Sequence, residues 1–260
     1  FYGLSAQTLG NDKDSLLIEE GVAVNSTASL DYSDVEAVKV LGNPTEGALL
    51  LWLKKAGVDY LNLRESAEVL EELPFSTERK YMATIVKSSL FEGKTILYVK
   101  GAPEIVSGLC KNIENNVSKT DIENQLVEYQ NQAMRTLGFA YQIIDSKTDV
   151  FKDGKIVADN LTFMGVVAIS DPVRLDVPAA VAECMNAGIN VKIVTGDTPG
   201  TAKEIGRQIG LWTAKDGDKN IITGPEFAAL SDEELDKRVL DLKIISRARP
   251  MDKKRLVEAL

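Results

Sequence analysis

The feature that most constrains the fold is a change in hydrophobic patterning part-way along the chain. Residues 163–169 read Phe-Met-Gly-Val-Val-Ala-Ile, a nearly continuous apolar run. Asp171-Pro172 and a segment that opens as a helix near Pro178 follow it. Residues 189–194 read as the next strand, closed by Thr195-Gly196-Asp197 and succeeded by a helical pattern from Pro199 to Ile209. Buried strand, turn and helix in alternation predict a parallel, doubly wound sheet. The first half is built differently. Residues 15–28 and 45–55 predict helices, and 80–87 and 94–100 predict two strands joined through a loop at Gly93. Residues 122–137 predict one long helix and 139–144 a strand, while 67–72 fit strand or helix equally well. A polar stretch covers 145–159. The expectation is a mixed helix and antiparallel-strand domain over residues 1–160 and a parallel α/β domain over 161–260.

A chain of 260 residues is long enough for two such cores. No apolar run approaches the roughly 20 residues of a membrane-spanning helix, and the first residues lack a basic-then-apolar leader pattern. The expectation is therefore a water-soluble chain. A net charge of −9 argues against a nucleic-acid binder, which concentrates basic charge on one face. Cys110 and Cys184 lie far apart and fit a reducing compartment better than a disulfide framework. With no histidine present, zinc sites and histidine bases are excluded. Carboxylates, lysines, arginines and backbone amides remain, the usual set for handling phosphate.

Three places carry chemical information. Asn43-Pro44-Thr45-Glu46 is a helix start: Asn43 as N-cap, Pro44 at the first helical position, and Glu46 in place to bond back to the cap. Lys80 and Lys100 end the two predicted strands and would lie nearly opposite each other at the mouth of a hairpin. Facing like charges are unfavourable, so an anion between them would relieve a cost. Lys100 also shares a strand face with Ile96 and Tyr98, an odd place for a solvated lysine, and Phe75 upstream offers an aromatic face. The plain alternative is two lysines splayed into water and a core phenylalanine. Thr195-Gly196-Asp197 ends a buried strand and precedes a helix, a geometry that aims backbone N–H groups at one spot and suits phosphate. Such turns are also common without any ligand. Asp12-Lys13-Asp14-Ser15 reads as a solvated loop that caps the next helix.

Taken in order, Gly42-Asn43-Pro44-Thr45-Glu46, Phe75-Ser76-Thr77-Glu78-Arg79-Lys80, Lys100-Gly101-Ala102-Pro103-Glu104, Asp171-Pro172-Val173-Arg174, Thr195-Gly196-Asp197 and Arg249-Pro250-Met251-Asp252-Lys253 resemble the cytoplasmic headpiece of P-type cation-transporting ATPases. The resemblance implies an antiparallel-sheet nucleotide-binding domain followed by part of a haloacid-dehalogenase-like phosphorylation domain. It implies ATP as ligand, with Phe75 stacked on adenine and Glu46 accepting a hydrogen bond from the adenine amino group. Lys80, Lys100 and Gly101 line that pocket, Arg135 and Arg174 reach the phosphates, and Leu137 contacts sugar and base. Thr195, Gly196 and Asp197 correspond to the motif that holds the transferred phosphoryl group, and Lys253 to the lysine that neutralises it.

The resemblance also implies what is not in these residues. The phosphorylated aspartate of the DKTGT motif is expected upstream of Phe1, and the TGDGVND motif downstream of Leu260. Mg2+ would be held by ligands outside this chain. Transmembrane and actuator domains of the same polypeptide would be its partners, at the cytoplasmic face of a membrane. Two positions depart from the pattern: Val173 replaces a proline in the hinge motif, and Thr77 stands where relatives can carry an arginine. Ala23-Val24-Asn25-Ser26 and Leu41-Gly42-Asn43-Pro44-Thr45-Glu46 are similar to the calcium-pump branch. Alone, these residues are expected to bind nucleotide without forming a phosphoenzyme. Two rivals are a haloacid-dehalogenase-type phosphatase, whose own aspartate nucleophile this chain does not offer, and a non-catalytic ATP-sensing module.

Overall fold

A computed structural model describes residues 9–34, 38–132, 134–144, 150–170 and 173–260. Asp171 and Pro172 of the hinge motif lie outside the described residues, as do residues 145–149 of the polar stretch. The chain divides into two compact units: one of residues 1–125 and Thr136–Ile169, the other of Leu126–Arg135 and Ser170–Leu260.

The first unit opens with α1 (Lys13–Val24), capped by the Asp12 carboxylate, which accepts a bond from Ser15 N. This is the capping role expected of residues 12–15, with Lys13 and Asp14 already inside the helix. A small antiparallel pair, β1 (Ser29–Asp31) and β2 (Lys39–Leu41), leads into α2 (Pro44–Lys55) and α3 (Tyr60–Ser66). Then come β3 (Glu68–Leu73), β4 (Tyr81–Lys87), β5 (Thr95–Gly101), α4 (Pro103–Leu109), β6 (Asn112–Ile113), α5 (Lys119–Asn131), β7 (Arg135–Ile144), the short hairpin of β8 (Phe151–Lys152) and β9 (Lys155–Ile156), and β10 (Thr162–Ile169). Six of these strands form one sheet in the order β3-β4-β5-β7-β10-β6. The segment that fitted strand or helix, 67–72, is β3 at its edge.

Two expectations are corrected here. The long helix over 122–137 stops at Asn131, and Arg135 and Leu137 lie on strand β7. From Gly101↔Gly138 to Thr95↔Ile144, β7 pairs antiparallel with β5. Leu137, Phe139 and Tyr141 alternate at the strand period, and the ladder with β5 overrides the helical propensity of the preceding residues. Residues 163–169 do form a strand, but it belongs to the six-stranded sheet of the first unit. An interior strand covered on both faces is apolar throughout whichever sheet it joins, so its composition did not reveal its partners.

The core of this unit lies where α1, α2 and α3 meet the sheet. Leu17, Val22, Leu50, Tyr60, Ile96, Tyr98 and Phe139 are all buried in it. One charge is built into the packing: the buried Glu20 carboxylate accepts from Tyr98 Oη at 2.7 Å, Ser88 Oγ at 2.7 Å and Ser89 N at 2.8 Å. That ties α1 to the β4–β5 turn.

The second unit holds α6 (Val177–Asn186), β11 (Ile193–Val194), α7 (Pro199–Gln208), β12 (Ile221–Thr223), α8 (Gly224–Ala229), α9 (Asp232–Arg238), β13 (Ile244–Ser246) and α10 (Pro250–Glu258). Its strands form a three-stranded parallel sheet in the order β11-β13-β12. The run expected as a strand over 189–194 joins the ladder only at Ile193 and Val194. The helix starts are written in the sequence. Thr198 accepts from Thr201 N ahead of Pro199, and Thr223 and Ser231 open capping boxes with Glu226 and Glu234.

Candidate functional site

A pocket of about 560 Å³ opens in the first unit where α2, the 75–80 turn and the ends of β5 and β7 converge. Its walls include Glu46, Phe75, Lys80, Lys100, Gly101 and Leu137. All six were expected from the sequence, and they come from four separate stretches of chain. Thr27 and Thr136 also line it. Neither carries a local pattern, and only the fold brings them there. Arg135 and Arg174 are not among its lining residues. Both are exposed, and Arg174 pairs with Asp176 at 2.9 Å.

The mouth of the hairpin is shaped by close backbone approach. Lys80 adopts a left-handed conformation, φ 59°, and its N–H donates to Ser76 O at 2.7 Å. Its carbonyl accepts from Ala102 N at 2.9 Å. Opposite, a Cβ at Gly101 would lie 2.3 Å from Lys80 O, so only glycine lets the two segments meet. Phe75 remains 58% exposed and presents its ring to the pocket instead of sealing it in the core.

The two lysines do not face each other. Lys100 is opposite Met82, and Lys80 lies one step beyond the ladder. The anion that answers Lys100 is internal: its Nζ sits 2.7 Å from Glu46 Oε1, and both side chains are under 10% exposed. The approach makes an ion pair without hydrogen-bond geometry, and among the described residues Lys100 Nζ has no other partner. Glu46 itself does not bond back to the helix cap as expected. Asn43 Oδ1 takes Thr45 N, whereas Glu46 Oε2 accepts from Thr27 N at 2.9 Å, Thr27 Oγ1 at 2.8 Å and Ala28 N at 3.0 Å. The capping-box reading failed because three donors from the α1–β1 connection outcompete one local N–H.

Burial pushes the Glu46 carboxyl up, but the Lys100 ammonium and the Thr27 donors outweigh it and hold the group below its usual range. Burial drives Lys100 the other way, below the ordinary ammonium value, against the pull of Glu46. The inner end of the pocket thus presents a carboxylate oxygen beside an ammonium with unused N–H bonds, under an exposed aromatic ring.

In the second unit, Thr195 N donates to Ile245 O at 3.0 Å as β11 ends. Thr195 Oγ1 donates to Asp197 Oδ2 at 2.7 Å and accepts from Asp197 N at 3.1 Å. The 247–248 loop is lashed to this turn: Arg247 N donates to Asp197 O at 2.8 Å and Ala248 N to Thr195 O at 2.9 Å. Gly224 presses on the same loop, since a Cβ there would lie 2.5 Å from Arg247 O. The loop runs into α10, which carries Lys253 exposed on its first turn. The Thr195–Asp197 turn and the segment leading to Lys253 are therefore neighbours. Gly196 meets nothing closer than 4.0 Å at a built Cβ, so packing does not require glycine there.

Residues 15–176 match the family described as P-type ATPase, cytoplasmic domain N. The chain belongs to the P-type ATPases. Among relatives of this P-type ATPase chain, calcium-transporting ATPase PAT1 of Dictyostelium discoideum is 36% identical over 252 residues, covering 94% of this chain and 22% of that protein. Calcium-transporting ATPase 1 of Lactococcus lactis is 33% identical, over 88% of this chain and 26% of that protein. The plasma membrane-type calcium-transporting ATPase 10 of Arabidopsis thaliana is 30% identical, over 98% of this chain and 25% of that protein. The P-type ATPase residues present here thus span about a quarter or less of these relatives. Among the described residues no helix is long and apolar enough to cross a membrane. Among the described residues no group of three or more carboxylate or thiol side chains is placed to hold a metal ion.

Proposed function

We propose that the first-unit pocket holds ATP and that the chain is the nucleotide-handling part of a cation pump, with calcium as the transported ion. The observation that carries the reading is the convergence of Glu46, Phe75, Lys80, Lys100, Gly101 and Leu137 on one cavity of nucleotide size. In this reading adenine stacks on Phe75 and gives its amino hydrogen to Glu46. Lys80 and Lys100 supply cations to the nucleotide, and Leu137 packs against sugar and base. The names of the relatives support calcium, and the match to cytoplasmic domain N supports a position on the cytoplasmic side.

The second unit is proposed as part of a haloacid-dehalogenase-like phosphorylation domain, with the nucleotide-binding domain before it and the boundary, expected at 160, moved past the strand that ends at Ile169. Its parallel sheet and the lashed turn at 195–197 support this. Thr195 N and Asp197 N are engaged within the fold, so the Gly196 N–H and the Lys253 ammonium are the groups suited to charge that develops on a phosphoryl group. The acceptor aspartate, the Mg2+ ligands and the transmembrane and actuator domains are assigned outside these residues. Calorimetric titration of the chain with ATP tests the reading. Saturable binding that Phe75→Ala weakens is expected, and binding unaffected by both Phe75→Ala and Lys80→Ala would overturn it.

A further inference from the structure

We infer that Thr27 is a positioning residue that sets base selectivity in the pocket, by fixing which oxygen of Glu46 faces the ligand. This rests on the reading of the pocket as an ATP site. A carboxylate rotates freely unless its oxygens are distinguished by their partners. Here they are sharply distinguished. Oε2 is taken by Thr27 N at 2.9 Å, Thr27 Oγ1 at 2.8 Å and Ala28 N at 3.0 Å. Among the described residues Oε1 has Lys100 Nζ alone, at 2.7 Å. Oε2 is thereby filled with donors, and Oε1 keeps acceptor capacity.

The pair Oε1 and Lys100 Nζ sets an acceptor beside a donor at the inner end of the cavity. That order suits a base edge that offers an amino hydrogen beside a bare ring nitrogen. It opposes an edge with a carbonyl at the amino position and an N–H beside it, which would set the carbonyl against Oε1 and the N–H against the ammonium. Thr27 supplies two of the three bonds that hold the order. It lies at the exposed pocket wall, in the connection between α1 and β1, so its side chain contributes little to the core. Its hydroxyl is also among the groups that keep the Glu46 carboxyl below its usual range, after the opposing effect of burial and the larger one of Lys100.

The test compares the wild-type chain with Thr27→Val, which removes the hydroxyl and keeps the shape and backbone N–H, and with Thr27→Ser, which restores the donor. ATP and ITP are titrated by calorimetry, since ITP carries a carbonyl where ATP has the amino group and an N–H where ATP has the bare ring nitrogen beside it. A 13C-carboxyl titration follows Glu46 by NMR. The expected result is an ATP affinity roughly 5- to 20-fold weaker in Thr27→Val. With it come an ATP-to-ITP preference that shrinks toward one, a Glu46 titration moved upward, and restoration of all three by serine. A merely structural role would weaken both nucleotides equally and leave the Glu46 titration in place, which overturns the inference. An unchanged preference in Thr27→Val alongside tight ATP binding by the wild type also overturns it, and leaves the pocket reading standing. Absence of ATP binding in the wild type overturns both. Should the valine variant not fold, Thr27→Ala against Thr27→Ser carries the same comparison.

Discussion

Lys100 is the residue on which the pocket's electrostatics turn. Burial of a lysine that is 4% exposed works against its charge, and Glu46 standing against it works in favour. Removing one member of a buried pair leaves the other uncompensated, at a cost of about 3 kcal/mol or more. Glu46 has three other donors, so Lys100→Met is expected at the low end, about 3 kcal/mol by urea unfolding, with Glu46→Gln costing at least as much. The pH dependence follows from the two shifts. The Glu46 carboxyl is lowered in the fold, so its contribution is fully present above the ordinary carboxylate range and is lost as pH falls through the lower folded value. Glu46→Gln should abolish that acid-side loss. Lys100 is lowered, so its burial penalty fades as pH rises through the depressed value, while its positive charge disappears from the pocket earlier than a free lysine's would. ATP affinity is therefore expected to fall on the alkaline side at lower pH than ordinary lysine titration predicts. Phe75→Ala should weaken ATP by about 1–3 kcal/mol, the worth of an aromatic stack on a base, with little effect on stability because the ring is already exposed.

At the scale of elements, the site is made by where α2 starts and how β4 and β5 end. Asn43 and Pro44 fix the first turn of α2, which places Glu46 at the pocket floor. Asn43→Ala should cost about 1 kcal/mol of stability and weaken ATP binding further by loosening the Glu46 backbone. Gly101 is the tighter constraint. Its missing Cβ admits the Lys80 carbonyl, so Gly101→Ala must part the turn from the strand end. We expect about 3 kcal/mol of destabilisation and loss of the pocket mouth, read as reduced amide protection in β4 and β5. Much of this scale was legible beforehand. The cap, the glycine at the hairpin loop and the two alternating strands announce themselves locally. The register was not, because Lys80 leaves the ladder through a left-handed turn that its residue type does not signal.

For the molecule as a whole, apolar burial is unequally shared. Among the described residues the first unit has a large core where α1–α3 meet the sheet, whereas the second unit's clusters are smaller, one around Phe227, Leu242 and Ile245 and one around Trp212 and Ile244. Opening free energies scale with such burial. Amide exchange is therefore expected to be slower in β4, β5 and β7 than in β11–β13, and uniform protection would contradict this. ATP at about 100 times its dissociation constant should raise the stability of the first unit by about 2.7 kcal/mol. Residue-level exchange with and without nucleotide will show whether the gain is confined there.

The sequence by itself determined the local events: helix starts at Asn43 and Thr198, the apolar strand at 163–169, and the chemical types gathered in each motif. These rest on hydrogen bonds and steric limits within a few residues, so no distant partner is needed to read them. Tertiary structure alone decided that the helix after Lys119 gives way to a strand by Arg135, that residues 162–169 join the first sheet, and that Glu46 turns from its own cap to Thr27, Ala28 and Lys100. Each of those outcomes is a competition between a weak local preference and partners far away in the chain. Burial strengthens the distant bonds and makes an unpaired charge costly, so the long-range partner wins.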